Sequence, residues 1–162
     1  MKISVLCENT SSSPDLFVEH GLSLLLETDK EKILFDFGQT DAFFKNAEKM
    51  SISLNDVDFA VLSHGHYDHG GGMGIFLSYN LTAPVYLSRH AFGNYYNAEG
   101  KFIGLDKSLQ RIDRMLPTGD CTRVSCTSSL FSCNLQHRPF GTNPYGLTEL
   151  TDEKYTDDRF LH

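Results

Sequence analysis

The sequence has no tryptophan, five prolines and four cysteines, and it has no long hydrophobic stretch. Because a transmembrane helix needs about 20 consecutive apolar residues, we expect no membrane span. The apolar run near the amino terminus (residues 3–7) is far too short for a signal peptide. These absences favour a cytoplasmic protein without a membrane partner.

Basic residues are also few: 14 Lys and Arg stand against 21 Asp and Glu, which gives a net charge of −7. Proteins that bind nucleic acid usually carry a basic surface, so we expect none as a partner here. The cysteines (Cys7, Cys121, Cys126 and Cys133) form no C-x-x-C pair and match no common zinc ribbon. We expect reduced and mostly buried thiols.

The length of 162 residues and the 40% hydrophobic content predict one globular domain over residues 1–162. The hydrophobic pattern predicts alternating strands and helices. The predicted strands are 3–7, 22–27, 32–37, 59–62, 84–87, 122–125 and 130–135, the second and third joined as a hairpin. The predicted helices are 41–50 with Asp41 as its cap, one opened by the glycines 70–72 and running to Tyr79, and one over 109–116. From residue 139 onward no period is recognisable.

The most informative segment is Ser63-His64-Gly65-His66-Tyr67-Asp68-His69, which follows the predicted buried strand 59–62 directly. Imidazole nitrogen and carboxylate oxygen together suit zinc, manganese or iron. Alternation brings His64 and His66 to one metal, and Asp68 and His69 can then hold a second. Two ions about 3.5–4 Å apart would share a bridging water and generate hydroxide near neutral pH.

A histidine-rich surface loop without function is the alternative interpretation, but three histidines and an aspartate between a strand and a glycine triplet argue against it. The glycines at 70–72 allow close backbone approach, and we expect them to leave helix N–H groups open toward an anionic substrate.

The motif H-x-H-x-D-H followed by glycines resembles the signature loop of the metallo-β-lactamase superfamily. Three other segments, 19–23 (EHGLS), 33–39 (ILFDFGQ) and 46–49 (NAEK), resemble the subgroup containing the methanopterin-pathway dihydropterin ribofuranosylaminobenzene-phosphate synthases. The resemblance covers roughly residues 3–92.

The resemblance implies an α/β fold, the four-layer αββα sandwich, with His64 and His66 on a first metal and Asp68 and His69 on a second. Zinc is the expected metal, with manganese or iron as alternatives. Asp68 would also orient the attacking hydroxide as the catalytic carboxylate, and Asp36 would steady the ligand loop from behind. The family's second half supplies three more ligands. We therefore expect this chain to be the amino-terminal part only, with an apolar sheet face covered by self-association or by a partner chain.

Four other histidines are weaker candidates. His20 is more typical of a structural residue, and His90 of one near the mouth of the site with a possible substrate role. His137 and His162 are expected to be surface residues.

The preferred function is hydrolysis of an ester, thioester or phosphoester in a small, anionic substrate by metal-bound hydroxide. A nuclease of the same fold is one alternative, and a non-catalytic metal-binding or subunit-interaction module is the other.

Overall fold

The computed structural model describes residues 1–131, 148–151 and 154–157. The strands are β1 Lys2–Cys7, β2 Ser23–Glu27, β3 Lys32–Phe35, β4 Phe59–Val61, β5 Val85–Ser88, β6 Tyr95–Tyr96, β7 Met115–Thr118, β8 Cys121–Arg123, β9 Ser129–Phe131, β10 Thr148–Thr151 and β11 Lys154–Asp157. The helices are α1 Ala42–Lys49, α2 Tyr67–Gly70 and α3 Met73–Tyr79, with a 3₁₀ helix at Lys107–Arg111.

The main sheet is mixed and has the strand order β1-β2-β3-β4-β5-β7. The pairs β1–β2 and β2–β3 are antiparallel, whereas β3–β4, β4–β5 and β5–β7 are parallel. Consequently β1, β3, β4, β5 and β7 all end at the same edge of the sheet, and β2 begins there. Loops at the carboxyl ends of parallel strands are where open α/β sheets bind ligands.

One face of this sheet, which we call the inner face, is covered by α1 and α3. The strand register aligns a row of side chains across all six strands, and each member of that row is buried: Ser4, Leu25, Leu34, Ala60, Val85 and Met115. Phe43 of α1 and Phe76 of α3 both pack near Phe37, with ring centroids 6.5 and 5.5 Å from it. Burial of this apolar surface is the main source of stability of the domain.

The opposite face, here called the outer face, carries an apolar row in the same register: Val5, Leu24, Phe35, Val61, Tyr86 and Leu116. No described helix covers it, and Val5 and Leu116 remain 47% and 37% exposed. The β8–β9 hairpin approaches part of this face. A cavity of about 470 Å³ lies there, with Phe35, Val61 and Tyr86 lining it from the sheet and Leu130 and Phe131 from the hairpin.

The remaining strands form a small sheet of order β11-β10-β6, in which both pairs are antiparallel. The predicted strands at 3–7, 22–27, 59–62 and 84–87, the hairpin and the first helix are confirmed within a residue or two. Asp41 occupies the N-cap position of α1, but its side chain makes no capping hydrogen bond. It pairs with Lys45 instead, 2.8 Å away.

Several predictions were wrong. The strand expected to reach residue 37 ends at Phe35, because Asp36 adopts a positive φ of 58°. The helix expected over 109–116 is a short 3₁₀ helix followed by β7, since Met115 pairs in register with Val85 of the neighbouring strand. Tertiary pairing thus overrides the local helical pattern.

The strands β6, β10 and β11 had no recognisable period in the sequence. The strand expected at 122–125 corresponds to β8, and the start of the strand expected at 130–135 corresponds to β9. Residues 132–135 lie outside the described part. Among the three cysteines in the described part, Cys7 is buried but Cys121 and Cys126 are exposed free thiols, so the expectation of mostly buried thiols fails. In the described ranges, no helix has the length and apolar character that crossing a bilayer requires.

Candidate metal centre

The sequence-predicted loop lies where the carboxyl ends of β3 and β4 meet. Ser63 and His64 follow β4, and Asp36 follows β3, the neighbouring parallel strand. The short helix α2 then carries Asp68 and His69 back toward the same point. Because Asp36 and Ser63 directly follow two paired strands of the main sheet, the sheet fixes the positions of both residues.

Asp36 is the buried anchor of the site. Its side chain has no exposed surface, and its carboxylate has three partners, each at 2.7 Å: the backbone N–H of Ser63, the hydroxyl of Ser63 and Nδ1 of His69. The positive φ of Asp36 turns the carboxylate away from the strand direction, a conformation that Asp tolerates better than most residues. The carboxylate therefore fixes the start and the end of the loop 63–69 together.

The hydrogen bonds of Asp36 and Ser63 decide which ring nitrogen carries the proton in His69 and in His64. A carboxylate can only accept, so a neutral His69 must carry its proton on Nδ1. Ser63 donates its single hydroxyl proton to Asp36, and its oxygen therefore accepts from Nδ1 of His64, 2.9 Å away. In both rings Nε2 is then the nitrogen with a lone pair that can bind a metal.

The electrostatic setting of His69 follows from the same contacts. Burial by itself lowers the pKa of His69, but the hydrogen bond that His69 donates to Asp36 and the charges of Asp36 and Asp68 outweigh burial and raise that pKa above its ordinary value. An anionic surrounding of this kind also attracts a metal cation.

Three of the predicted ligands converge. One ligand atom each from His64, Asp68 and His69 lie within 4.8 Å of one another, and all three residues are half-buried. The Nε2 atom of His69 is 3.7 Å from Oδ2 of Asp68. Zinc bonds of about 2.0–2.2 Å separate tetrahedral ligand atoms by about 3.5 Å, so small side-chain rotations bring this set to one ion. The donor set of two imidazoles and one carboxylate fits zinc, manganese or iron. The carboxylate of Asp36, hydrogen-bonded behind the His69 ring, is the kind of partner that orients such a ligand.

His66 lies beside this cluster rather than in it. Its ring centroid is 4.6 Å from that of His64, and the residue is only 5% exposed. Tyr95 packs edge-on against the His66 ring, with the ring centroids 5.4 Å apart, and donates its hydroxyl proton to the carbonyl of His90. His66 is thus close enough to share the site, and the expected pairing of His64 with His66 on one metal ion stays a prediction.

The backbone N–H groups of the three glycines after the loop all donate to backbone carbonyls of the chain. The N–H groups of Gly70, Gly71 and Gly72 donate to the carbonyls of His66, Tyr67 and Gly38. The expectation that they would stay open toward an anion is wrong, because α2 and its connection to α3 use them. Close approach is confirmed: a Cβ on Gly72 would lie 2.3 Å from the carbonyl oxygen of Phe37.

The loop that precedes β2 forms the rim of the site. Nε2 of His20 lies 3.3 Å from Oδ2 of Asp68, and Nδ1 of His20 lies 3.3 Å from the amide nitrogen of Asn9. The sequence indicated a structural role for His20, and the structure places it against a predicted ligand instead. Asn9 had no signal in the sequence, since an asparagine in a Ser- and Thr-rich loop is ordinary. His137 and His162 lie outside the described residues.

Comparison with known proteins identifies the family of the chain. Residues 16–131 match the model of the metallo-beta-lactamase superfamily, and the chain belongs to that superfamily. The crystal structure of Tm1679, a metal-dependent hydrolase of the beta-lactamase superfamily, superposes with a TM-score of 0.77 at 28% identity. That match covers 98% of this chain and 57% of Tm1679, so the α/β metallo-β-lactamase fold is shown, in part of its full extent.

Two curated relatives are similar over much of the chain. The 7,8-dihydropterin-6-methyl-4-(beta-D-ribofuranosyl)-aminobenzene-5'-phosphate synthase of Methanocaldococcus jannaschii is 32% identical over 121 residues, which are 68% of this chain and 41% of that protein. Exodeoxyribonuclease YycJ of Bacillus anthracis is 29% identical over 143 residues, 86% of this chain and 53% of that protein. The chain thus spans about half the length of these relatives, and the predicted subgroup is supported by a distant relationship.

Proposed function

We propose that this chain carries the metal-binding part of a hydrolase that cleaves an ester, thioester or phosphoester in a small, anionic substrate. The observation that supports this most is the convergence of His64, Asp68 and His69, held from behind by the buried carboxylate of Asp36. A surface loop without function would not need a fully buried carboxylate with three hydrogen-bond partners.

Each residue has a role in this proposal. His64, Asp68 and His69, with His66 beside them, would hold one or two metal ions, zinc in the first instance and manganese or iron as alternatives. When bound, such an ion lowers the pKa of coordinated water and polarises the bond to be cleaved. Asp68 would accept a proton from the attacking water and orient it, and Asp36, which accepts from Nδ1 of His69, would keep Nε2 of that ring available as a ligand. The similarity to a synthase named for a phosphorylated product supports a small anionic substrate.

The test combines metal binding with hydrolysis. We expect purified protein to bind zinc, and Asp68→Ala and His66→Ala to weaken binding at least 10-fold with little change in folding. Asp29→Ala, a carboxylate removed from a distant turn, is the matched control and keeps wild-type affinity. Hydrolysis of generic ester and phosphodiester substrates should disappear with chelator and with either site variant. A zinc affinity in Asp68→Ala equal to that of the wild type would contradict the proposed ligand.

A nuclease is the second candidate, and the similarity to exodeoxyribonuclease YycJ supports it. The net charge of −7 argues against it, because binding to nucleic acid relies on neutralising phosphates with Lys and Arg. Degradation of end-labelled DNA by the wild type, lost in Asp68→Ala and stronger than hydrolysis of small esters, would favour the nuclease.

A non-catalytic subunit-interaction module is the third candidate, and the partly exposed apolar row on the outer face, with Val5 and Leu116 at 47% and 37% exposure, supports it. In this proposal a second copy or a partner chain covers that face. Light scattering over a range of concentrations tests it: a monomer at every concentration argues against self-association, and metal binding without any hydrolysis favours the module over the enzyme.

A further inference from the structure

We propose that Asn9 and His20 form a hydrogen-bonded relay that positions the carboxylate of Asp68. The relay is defined as Asn9, His20 and Asp68: Asn9 Nδ2 and His20 Nδ1 are hydrogen-bonded over 3.3 Å, and His20 Nε2 lies 3.3 Å from Oδ2 of Asp68. The consequence for catalysis depends on the function proposed above, whereas the relay itself concerns only this chain's own side chains.

The direction of each hydrogen bond can be derived. The backbone N–H of Gly21 donates to Oδ1 of Asn9 over 3.1 Å, which fixes the amide so that its nitrogen faces His20. An amide nitrogen can only donate, so Nδ1 of a neutral His20 must accept. The ring proton is then on Nε2, which lies 3.3 Å from Oδ2 of Asp68, and in the proposed relay this N–H donates to that carboxylate. His20 therefore has the opposite tautomer to the one derived for His64 and His69.

The topology explains why these three residues meet. Asn9 follows the end of β1 and His20 precedes the start of β2, and in an antiparallel pair those two points share an edge of the sheet. Gly21 has a φ of 136°, and a Cβ there would lie 2.0 Å from the carbonyl oxygen of Asp68. The loop therefore packs directly against the backbone of the predicted ligand.

The loop is anchored independently of the relay. The carboxylate of Glu19 accepts from the backbone N–H groups of Gln39 and Thr40 over 2.8 and 3.0 Å and from the hydroxyl of Thr40 over 2.6 Å. This anchor holds the residue before His20 in place. Because a carboxylate has about four lone-pair positions, one hydrogen bond from His20 leaves others for a metal ion.

The tautomer of His20 is testable without metal or substrate. We expect nitrogen-15 chemical shifts of metal-free protein at pH 8.5 to show the proton on Nε2 of His20 and on Nδ1 of His64 and His69. In Asn9→Ala, His20 should become a mixture of tautomers, while Asn55→Ala, an exposed asparagine outside the relay, changes nothing. A proton on Nδ1 of His20 in the wild type would overturn the relay.

The positioning role is tested by cobalt binding, followed by its visible absorption and by competition with a chromophoric chelator. We expect His20→Ala to weaken cobalt affinity about 10-fold and to alter the spectrum, and His20→Gln, whose amide can still donate, to recover most of both. Unfolding midpoints of the metal-free variants should match the wild type. Wild-type affinity in His20→Ala, or a Gln variant no better than Ala, would overturn the proposal.

These outcomes separate the two proposals. If hydrolysis is never observed but His20→Ala weakens cobalt binding and Gln restores it, the proposed function fails and the relay holds. If hydrolysis requires Asp68 but both His20 variants behave as wild type, the relay fails and the proposed function holds.

Discussion

The inner and outer faces of the main sheet carry similarly apolar side chains but differ in what lies over them. On the inner face Leu25, Leu34 and Val85 are completely buried under α1 and α3. On the outer face Val5 is 47% exposed, although it belongs to a row just as continuous across the strands. Apolar patterning therefore does not tell which face is covered, and the stability contributed by each face should differ sharply.

The largest expected difference is between core and outer-face truncations. Phe43→Ala removes a completely buried ring that packs against Phe37 and should lower the free energy of unfolding by about 3–5 kcal/mol. Val5→Ala should cost less than about 1 kcal/mol because the side chain keeps much of its contact with water. Urea denaturation of both variants measures this, and equal losses would mean that the outer face is covered in solution.

Thiol reactivity gives a similarly large contrast. Burial, followed by the charge of Glu19, raises the pKa of Cys7 to about 12, whereas Cys121 and Cys126 are exposed. Since the thiolate is the reactive form and an ordinary thiol has a pKa near 8.5, Cys7 should be alkylated about a thousandfold more slowly at pH 8. Peptide mass mapping after timed alkylation measures each site. In denaturant all should react alike, and rapid labelling of Cys7 in folded protein would contradict its burial.

A smaller loss in the free energy of unfolding is expected on substitution of Asp36, which lies at the end of β3 beside the site. Asp36→Ala leaves the Ser63 N–H, the Ser63 hydroxyl and His69 without their partner, and should cost roughly 2–3 kcal/mol in metal-free protein. Metal affinity should also fall 10- to 100-fold. Ser63→Ala, which removes only one of these partners, should cost about 1 kcal/mol. Calorimetry and zinc titration follow both effects, and unchanged stability in Asp36→Ala would refute the anchor role.

The smallest effect concerns the hairpin over the outer face. Ser128 donates to Glu31 over 2.5 Å, and hydrogen bonds from Ser125 and Ser128 lower the pKa of Glu31. The stabilisation is therefore present above the ordinary glutamate pKa of about 4.3 and is lost as the pH falls through the lowered value. Hydrogen exchange at 125–128, corrected for its intrinsic pH dependence, should rise at pH 3 relative to pH 6.

The matched variants for this experiment lie in the same turn. Glu31→Gln should remove the extra pH dependence of exchange in the hairpin, and Asp29→Asn should leave it unchanged. A pH dependence that survives in Glu31→Gln would show that another group holds the hairpin to the turn.

The sequence predicted the elements that have a clear local pattern of apolar residues and turns. The β2–β3 hairpin and α1 are confirmed because each depends on local periodicity and turn residues. The 3₁₀ helix and β7 were predicted as one helix, because the pairing of Met115 with Val85 joins residues 30 positions apart. Asp36 was predicted to steady the loop from a family resemblance, but its positive φ and its three partners are tertiary features.

The sequence by itself determined the ligand chemistry, since three imidazoles and a carboxylate within six residues have few other uses. The tertiary structure alone decided which of them converge, which nitrogen each ring presents, and that Asn9 and His20 join Asp68. The reason is physical: side-chain type fixes what a group can bind, but the meeting of strand ends far apart in the chain fixes what it can reach.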